Sequence, residues 1–379
     1  MIYLNNAATT YPKPQCVLDA HAAALCALPS SQYRSAAKSF GTDVFTACRE
    51  SLGKLFHITD ADRIFFSSGA TDSANRIING LYAGGQCTEY SKIIVTQTEH
   101  NSILRPLMNH EVFKNNIVVL PCDNTGKVDI TKLNHPTQGV LFINHCSNVT
   151  GKIQDMKAAV KAAKEAGLLV IADVSQSAGC VPIDAEEWGL DGLIFTGHKS
   201  LFGVQGTGGY YIRRGLNIKP MLYGGTGRDS SQLTYENGDY EFEAGTQNAP
   251  GIAALYAGVS YVLETGAETI AKWEQELMKQ LYADLLGIEG VTLYGSADNT
   301  HGPVMSFTIS GLKASDVTYI LQSGYEIITR AGLHCAPLIH EAMGTKADGT
   351  VRVSVSPFTT QSEIGDFTKA VKEICRSVE

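Results

Sequence analysis

A chain of 379 residues with 44% hydrophobic and 18% charged residues has the composition of a folded globular protein, and its length favours two cores over one. Its formal charge of −8, with no dense Lys/Arg run, argues against nucleic acid or an anionic membrane surface as partner. No stretch approaches the roughly 20 apolar residues needed to span a bilayer. Nine cysteines without a C-x-x-C pair form neither a disulfide framework nor a zinc spacing, so no metal is expected. Reduced thiols, and a start at Met1-Ile-Tyr-Leu-Asn-Asn without a secretory signal, point to the cytoplasm.

Asn5 to Pro14 is polar and proline-punctuated, and Gln15 to Leu28 reads as an alanine-rich helix. Ser30 to Gly41 reads as a loop, Thr42 to Phe56 as an amphipathic helix, and Arg63 to Ser67 as a strand. Short apolar runs then recur at Lys92 to Thr96, Ile117 to Pro121, Gly139 to His145, Leu168 to Asp173, Gly192 to Thr196 and Gly209 to Ile212. Runs of this kind are strands buried on both faces. Helices such as Asp155 to Glu165, with Met156, Ala159, Val160 and Ala163 on one face, alternate with them. The order predicts an α/β fold with a mostly parallel central sheet flanked by helices and ligands at the carboxyl ends of the strands. Gly224 to Gly245 reads as a long functional loop, and Pro250 to Thr265 and Glu268 to Leu285 as long helices. Strands at Val291 to Tyr294, Val304 to Ile309, Glu326 to Thr329 and Thr350 to Ser354 alternate with helices in a smaller α+β unit. The expected division is a large domain of residues 15–255 and a small domain of residues 1–14 plus 256–379.

Chemistry concentrates at the strand ends. Lys199 follows the run Leu193 to Phe195, where a buried amine with a lowered pKa can form a Schiff base with a carbonyl compound. Asp173 ends the preceding strand candidate and supplies the anion that a pyridinium nitrogen requires in pyridoxal-phosphate enzymes. Ser67 to Asn75 passes from a strand into a helix, so Gly69 and the free amides of Ala70 and Thr71 make a phosphate cup. Arg352, inside a strand, calls for an anion or a structural ion pair. Cys335 lies near Arg330 and His334, positive charge that favours a thiolate, although a lone cysteine is ordinarily a small hydrophobe.

Taken in order, Leu4-Asn-Asn-Ala-Ala-Thr-Thr10, Ser68-Gly-Ala-Thr-Asp72, Thr98-Glu-His-Asn101, Ser147-Asn-Val-Thr-Gly151, Ala172-Asp-Val-Ser-Gln176, Thr196-Gly-His-Lys199, Glu243-Ala-Gly-Thr-Gln247 and Arg330-Ala-Gly-Leu-His-Cys335 extend over almost the whole chain. In this series the chain resembles the class V aminotransferase group of pyridoxal 5'-phosphate enzymes, and within it the cysteine desulfurase and selenocysteine lyase family. The resemblance implies a fold type I enzyme with Lys199 and Cys335 as catalytic residues and His100 stacked on the cofactor ring as a proton shuttle. It also implies that Asn148 and Gln176 bond the ring oxygen, that Thr196 and His198 close the phosphate cup, and that Thr246 of a second subunit reaches the phosphate. Arg352, with Arg330 as a second contact, and Asn148 would hold the substrate.

The resemblance further implies a homodimer acting on L-cysteine, with release of L-alanine and a persulfide on Cys335 that passes to a sulfur-acceptor protein. L-selenocysteine as substrate, a class V transaminase or other pyridoxal enzyme in which Cys335 is incidental, and a catalytically weak scaffold that docks a partner protein are the alternatives. Two departures bear on subtype: Tyr33-Arg-Ser-Ala-Ala-Lys38 lacks the histidine many relatives carry near Arg34, and Leu333 stands where some branches carry a second histidine before the cysteine. The segment after Cys335 is similar to the branch with a short catalytic loop.

Overall fold

Alternation of apolar runs with amphipathic segments lays the chain down as successive strand–helix units in a computed structural model. It describes residues 1–27, 43–133, 138–226, 231–235, 239–296, 298 and 300–377. The loop read at Ser30 to Gly41, Arg34 included, lies outside these residues. In order, the first half contains β1 (Ile2–Tyr3), α1 (Gln15–Cys26), α2 (Val44–Phe56), β2 (Ile64–Ser67), α3 (Ala70–Ala83), β3 (Lys92–Thr96), α4 (Asn101–Met108), β4 (Ile117–Leu120) and β5 (Gly139–Asn144). There follow α5 (Met156–Glu165), β6 (Leu168–Asp173), α6 (Ala185–Trp188), β7 (Gly192–Thr196), β8 (Gly208–Ile212) and α7 (Ala249–Thr265). The rest comprises α8 (Ala267–Leu286), β9 (Val291–Tyr294), β10 (Val304–Ile309), α9 (Ala314–Tyr325), β11 (Ile327–Ile328), β12 (Arg330–Gly332), α10 (Ile339–Ala342), β13 (Thr350–Ser354) and α11 (Gln361–Arg376).

Helix limits follow local chemistry. Asp43 and Asp155 accept from the first-turn amides of α2 and α5, so each helix begins one residue after its cap. Thr360 and Glu363 form a reciprocal capping box at the start of α11.

The large sheet has seven strands in the order β2-β8-β7-β6-β5-β3-β4. Parallel pairing joins β4, β3, β5, β6 and β7, whereas β8 runs antiparallel to both β7 and β2. The expected mostly parallel sheet is therefore present, with β8 as its reversed member. One apolar layer, with Leu141, Leu193 and Phe195, packs under α2, α5 and α7. The other, with Ile93, Phe142 and Ile194, packs under α3 and α4. Both faces are thus removed from water except along the edge strand β4, expected to be buried, where Val118 and Val119 are exposed, and the strand ends remain for chemistry.

The second sheet is antiparallel, β12-β13-β10-β9, and its core of Met305, Phe307, Val351 and Val353 is closed by α8, α9 and α11. The N-terminus joins it: β1 pairs in parallel with β11, Ile2 opposite Ile327, and Ser354 N donates to Leu4 O at 2.9 Å. Two expectations change here. Glu326 is no strand residue but the left-handed cap of α9, at φ 56°. Arg330–Gly332, where the sequence reading placed no strand, forms strand β12, and the turn comes afterwards, where His334 (φ 49°) and Cys335 (φ 59°) both adopt left-handed backbone.

Candidate active site

At the carboxyl ends of β2, β3, β5, β6 and β7 a single cavity collects Ala70, Thr71, His100, Asn148, Asp173, Gln176, Thr196, His198 and Lys199, and β12 and β13 add Arg330 and Arg352. Cys335 does not line it but adjoins it through Arg330, whose Nη2 donates to Cys335 Sγ at 3.4 Å. Thr246 is exposed and lies outside the cavity of its own chain.

Lys199 is carried beyond β7 and lines the cavity, half-buried. Burial holds its pKa down at about 8; Asp173 opposes the shift, while Arg352 and Arg330 reinforce it. A sizeable fraction is then neutral near pH 7 to 8, the state in which an amine attacks a carbonyl. Asp173 ends β6 and is fixed by the Ser175 amide, which donates to its Oδ1 at 2.9 Å. His100 caps α4: its Nδ1 accepts from the Ser102 amide at 3.0 Å, which leaves Nε2 to carry the ring proton. Burial, followed by the charges of Lys199, Arg330, Arg352 and Arg105, depresses its pKa to about 3. His100 is therefore a neutral donor throughout the ordinary pH range. His198 is likewise held neutral, near 4, by burial and by Lys199 and Lys13.

At the other end of the cavity α3 begins. Its cap, Gly69, sits at φ 142° and offers no side-chain acceptor, so the first amides of a 14-residue helix face the cavity uncapped. A Cβ on Gly208 would stand 2.6 Å from Gly69 Cα, so glycine at 208 lets β8 support this turn closely. Asp72 in the first turn is engaged by Arg76 at 2.7 Å and by the Ser68 amide at 3.1 Å. An anion is the natural occupant of such a helix start.

The arginines define a second anion position. Arg330 and Arg352 stand directly opposite one another in the β12–β13 register. Arg352 is 1% exposed, and burial, then Arg330, lowers its pKa to about 9. Its Nη1 donates to Asn148 O at 3.0 Å and its Nη2 to Asn5 Oδ1 at 3.3 Å, while Nε has no partner. Among the described residues neither arginine has a carboxylate within ion-pair distance. Like charges directly opposite across a ladder destabilise a sheet unless an anion is shared between them.

The Cys335 turn is held from two sides. Asn101 N donates to Cys335 O at 2.6 Å, and Asn148 Nδ2 donates to His334 O at 2.6 Å. Buried polar atoms with no partner, Asn148 Oδ1, Ser175 Oγ, His198 Nδ1 and Arg352 Nε, belong to cavity residues. A polar molecule with an anionic end at α3 and a cationic ring nitrogen at Asp173 fits this donor and acceptor set. The pyridoxal phosphate expected from the sequence has both.

Sequence reading passed over several of these residues. Ala7, Ala8, Ser102, Asn144 and Gln205 also line the cavity. Glu99 lies buried beneath it, accepting at Oε1 from Thr96 Oγ1 at 2.7 Å and Asn144 N at 2.8 Å. Its signal was present in Thr98-Glu-His-Asn101, beside the histidine that drew attention.

Fold and site together define a class of enzyme, fold type I with a lysine at a strand end. The model of the class-V aminotransferase family matches residues 2–367, and the chain belongs to that family, whose enzymes use pyridoxal phosphate. Among relatives, a cysteine desulfurase from Pectobacterium atrosepticum is 30% identical over 99% of this chain and 93% of its own. A probable cysteine desulfurase from Methanothermobacter thermautotrophicus is 30% identical over 83% of this chain and 80% of its own. The solved apo cysteine desulfurase from Thermococcus onnurineus superposes with a TM-score of 0.90 at 27% identity, covering 99% of this chain and 95% of that one. The cysteine desulfurase CsdA of Escherichia coli, in an S-sulfonic acid form, gives 0.87 at 27% identity, covering 99% and 94%. No helix among the described residues is long and apolar enough to cross a membrane.

Proposed function

We propose that this protein is a pyridoxal-phosphate-dependent cysteine desulfurase that takes sulfur from L-cysteine, leaving L-alanine and a persulfide on Cys335. The observation that carries the reading is the placement of Arg330: it faces Arg352 across the ladder, in the cavity of Lys199 and Asp173, and donates to Cys335 Sγ at 3.4 Å. One guanidinium pair can thus hold a substrate carboxylate beside the thiol that would receive the sulfur.

The uncapped amides of Ala70 and Thr71, with Thr196 and His198, would hold the phosphate; Asp173 would hold the ring nitrogen and Lys199 the carbonyl carbon. Asn148 and Gln176 would bond the ring oxygen. Bound there, the cofactor supplies an electron sink for charge developing on the substrate. Lys199, once displaced by the substrate amine, is free to carry a proton to and from Cα, and a pKa near 8 suits that exchange. His100 donates from Nε2. Cys335 as thiolate attacks the substrate sulfur: an S–S bond forms, the Cβ–S bond breaks with its electron pair left on carbon, and protonation of that carbon gives the methyl group of alanine.

A homodimer in which Thr246 completes the partner's phosphate site, the division into domains of residues 15–255 and of 1–14 plus 256–379, a sulfur-acceptor protein and a cytoplasmic setting belong to the same reading. Nine free cysteines are consistent with the last. The decisive experiment measures alanine from cysteine and from selenocysteine with wild type and Cys335→Ala. A thiol of pKa about 8.5 leaves carbon reluctantly without a nucleophile at sulfur, whereas a selenol is a better leaving group. The variant should lose nearly all cysteine turnover and keep much of the selenocysteine turnover. Undiminished cysteine turnover would remove the persulfide step and favour the transaminase reading.

A further inference from the structure

The carbonyl immediately before Lys199 accepts an unusual set of donors. His198 O receives the Thr10 amide at 3.1 Å, the Thr9 hydroxyl at 3.2 Å and Lys13 Nζ at 2.7 Å. An sp² oxygen has two lone pairs, so three donors crowd it, and the ammonium, being charged, makes the strongest of the contacts.

All three donors come from one stretch near the N-terminus, and that stretch is tied at other points to the site. Asn5 Oδ1 accepts from Arg352 Nη2 at 3.3 Å, Ala7 N donates to Ser354 Oγ at 2.8 Å, and Ala7 O accepts from Gln176 Nε2 at 3.0 Å. Ala7 and Ala8 are themselves cavity wall. Residues 5 to 13 thus run from the strand of Arg352, past Gln176, to the peptide that presents Lys199.

Lys13 is half-buried and has no carboxylate within ion-pair distance among the described residues. Burial lowers its pKa to about 8, so folding this ammonium into place is costly and the His198 carbonyl is the contact that offsets the cost. A lysine serving only solubility would have stayed in water.

We propose that Lys13 is a positioning residue: its ammonium on His198 O fixes the His198–Lys199 peptide and couples it, through residues 5–13, to the strand that carries Arg352. The proposal rests on the reading of Lys199 as the cofactor's attachment point. A misaimed nucleophile reacts more slowly even when the fold is intact, and small displacements are enough.

The test uses apo forms of wild type, Lys13→Met, Lys13→Gln and Lys13→Arg, with Lys157→Met as a control, since Lys157 pairs with Glu187 on the surface. Amide hydrogen exchange over residues 196–203 is followed first, without cofactor. Pyridoxal phosphate is then added, and the absorbance of its bond to lysine is followed in time. Both Lys13→Met and Lys13→Gln should exchange faster over this segment and attach cofactor roughly 10-fold more slowly, with Lys13→Arg close to wild type. Thermal melting of the apo forms identifies a variant that has lost its fold, and the glutamine variant then decides.

Exchange and attachment like wild type in the uncharged variants would overturn the proposal. So would equal slowing in Lys13→Arg, because packing rather than a cationic donor would then be the cause. If wild type itself forms no lysine-bound chromophore, the cofactor reading fails, and the apo exchange experiment still judges whether Lys13 holds the peptide.

Discussion

Single residues in this protein are tuned mainly by burial. Lys199 is lowered to about 8 despite Asp173, and no other described lysine lies at a strand end facing the start of an uncapped helix. Lys199→Ala should therefore abolish the reversible cofactor chromophore, and borohydride reduction of wild type with peptide mapping should label Lys199 alone. Label on another lysine would refute its role. Glu99 is shifted in the other sense, up to about 8, by burial and by Asp173, with Thr96 and the Asn144 amide opposing. Its folded pKa exceeds its unfolded value of 4.5, so the folded state binds the extra proton between these limits. The stability it contributes is complete below pH 4.5 and lost as pH rises toward 8. Glu99→Gln keeps the acceptor and replaces the acid's proton with a permanent donor. Urea midpoints measured from pH 5 to 8 should fall less steeply in this variant than in wild type; identical slopes would show that Glu99 ionises normally.

At the scale of elements, packing reverses an ordinary rule. Gly258 lies within α7, and glycine in a helix interior normally costs up to about 1 kcal/mol relative to alanine. Here a Cβ would stand 2.1 Å from Leu201 O and 3.1 Å from Gly203 N, on the loop that follows Lys199. Gly258→Ala should destabilise by about 1–3 kcal/mol and weaken cofactor retention, because α7 or the lysine loop must move. A raised melting temperature in that variant would contradict the close contact. The sheet's strands were legible because burial on both faces demands short continuous apolar runs, as in Gly192–Thr196. Strand direction was not: Gly208–Ile212 is buried throughout, and an evenly apolar run carries no mark of polarity. Strand β12 was hidden by its composition, since Arg-Ala-Gly has little strand propensity and is held by pairing with β13. Most of the cavity could be read because motifs at strand ends name their own residues. Lys13 and Asn5 could not, since their roles depend on carbonyl and guanidinium partners 185 and 347 positions away.

For the whole molecule, one group of exposed apolar side chains among the described residues lies between β8 and α7. Met221, Leu222 and Tyr223 are 40%, 47% and 70% exposed, and Leu233, farther along the same connection, is 97% exposed. Tyr223 meets Tyr235 at 5.2 Å between ring centroids, so the described part of this connection is organised although its apolar side chains face water. Side chains of this kind gathered along one segment are expensive to leave solvated, and a second copy of the chain would cover them. Thr246 lies farther along the same connection, exposed and outside the lining of its own chain's cavity, where a subunit partner's site could receive it. The expected state is therefore a dimer with each phosphate site completed across the interface. Leu222→Asp together with Leu233→Asp would bury two charges in that interface, a change that associated subunits tolerate poorly. In sedimentation at micromolar concentration, wild type should run as a dimer and the double variant as a monomer with unchanged far-UV circular dichroism. The monomer should also release cofactor faster on dialysis, as should dimeric Thr246→Ala to a smaller degree. A wild-type monomer that retains cofactor and full turnover would mean that the site is complete within one chain and that the apolar connection serves some other contact.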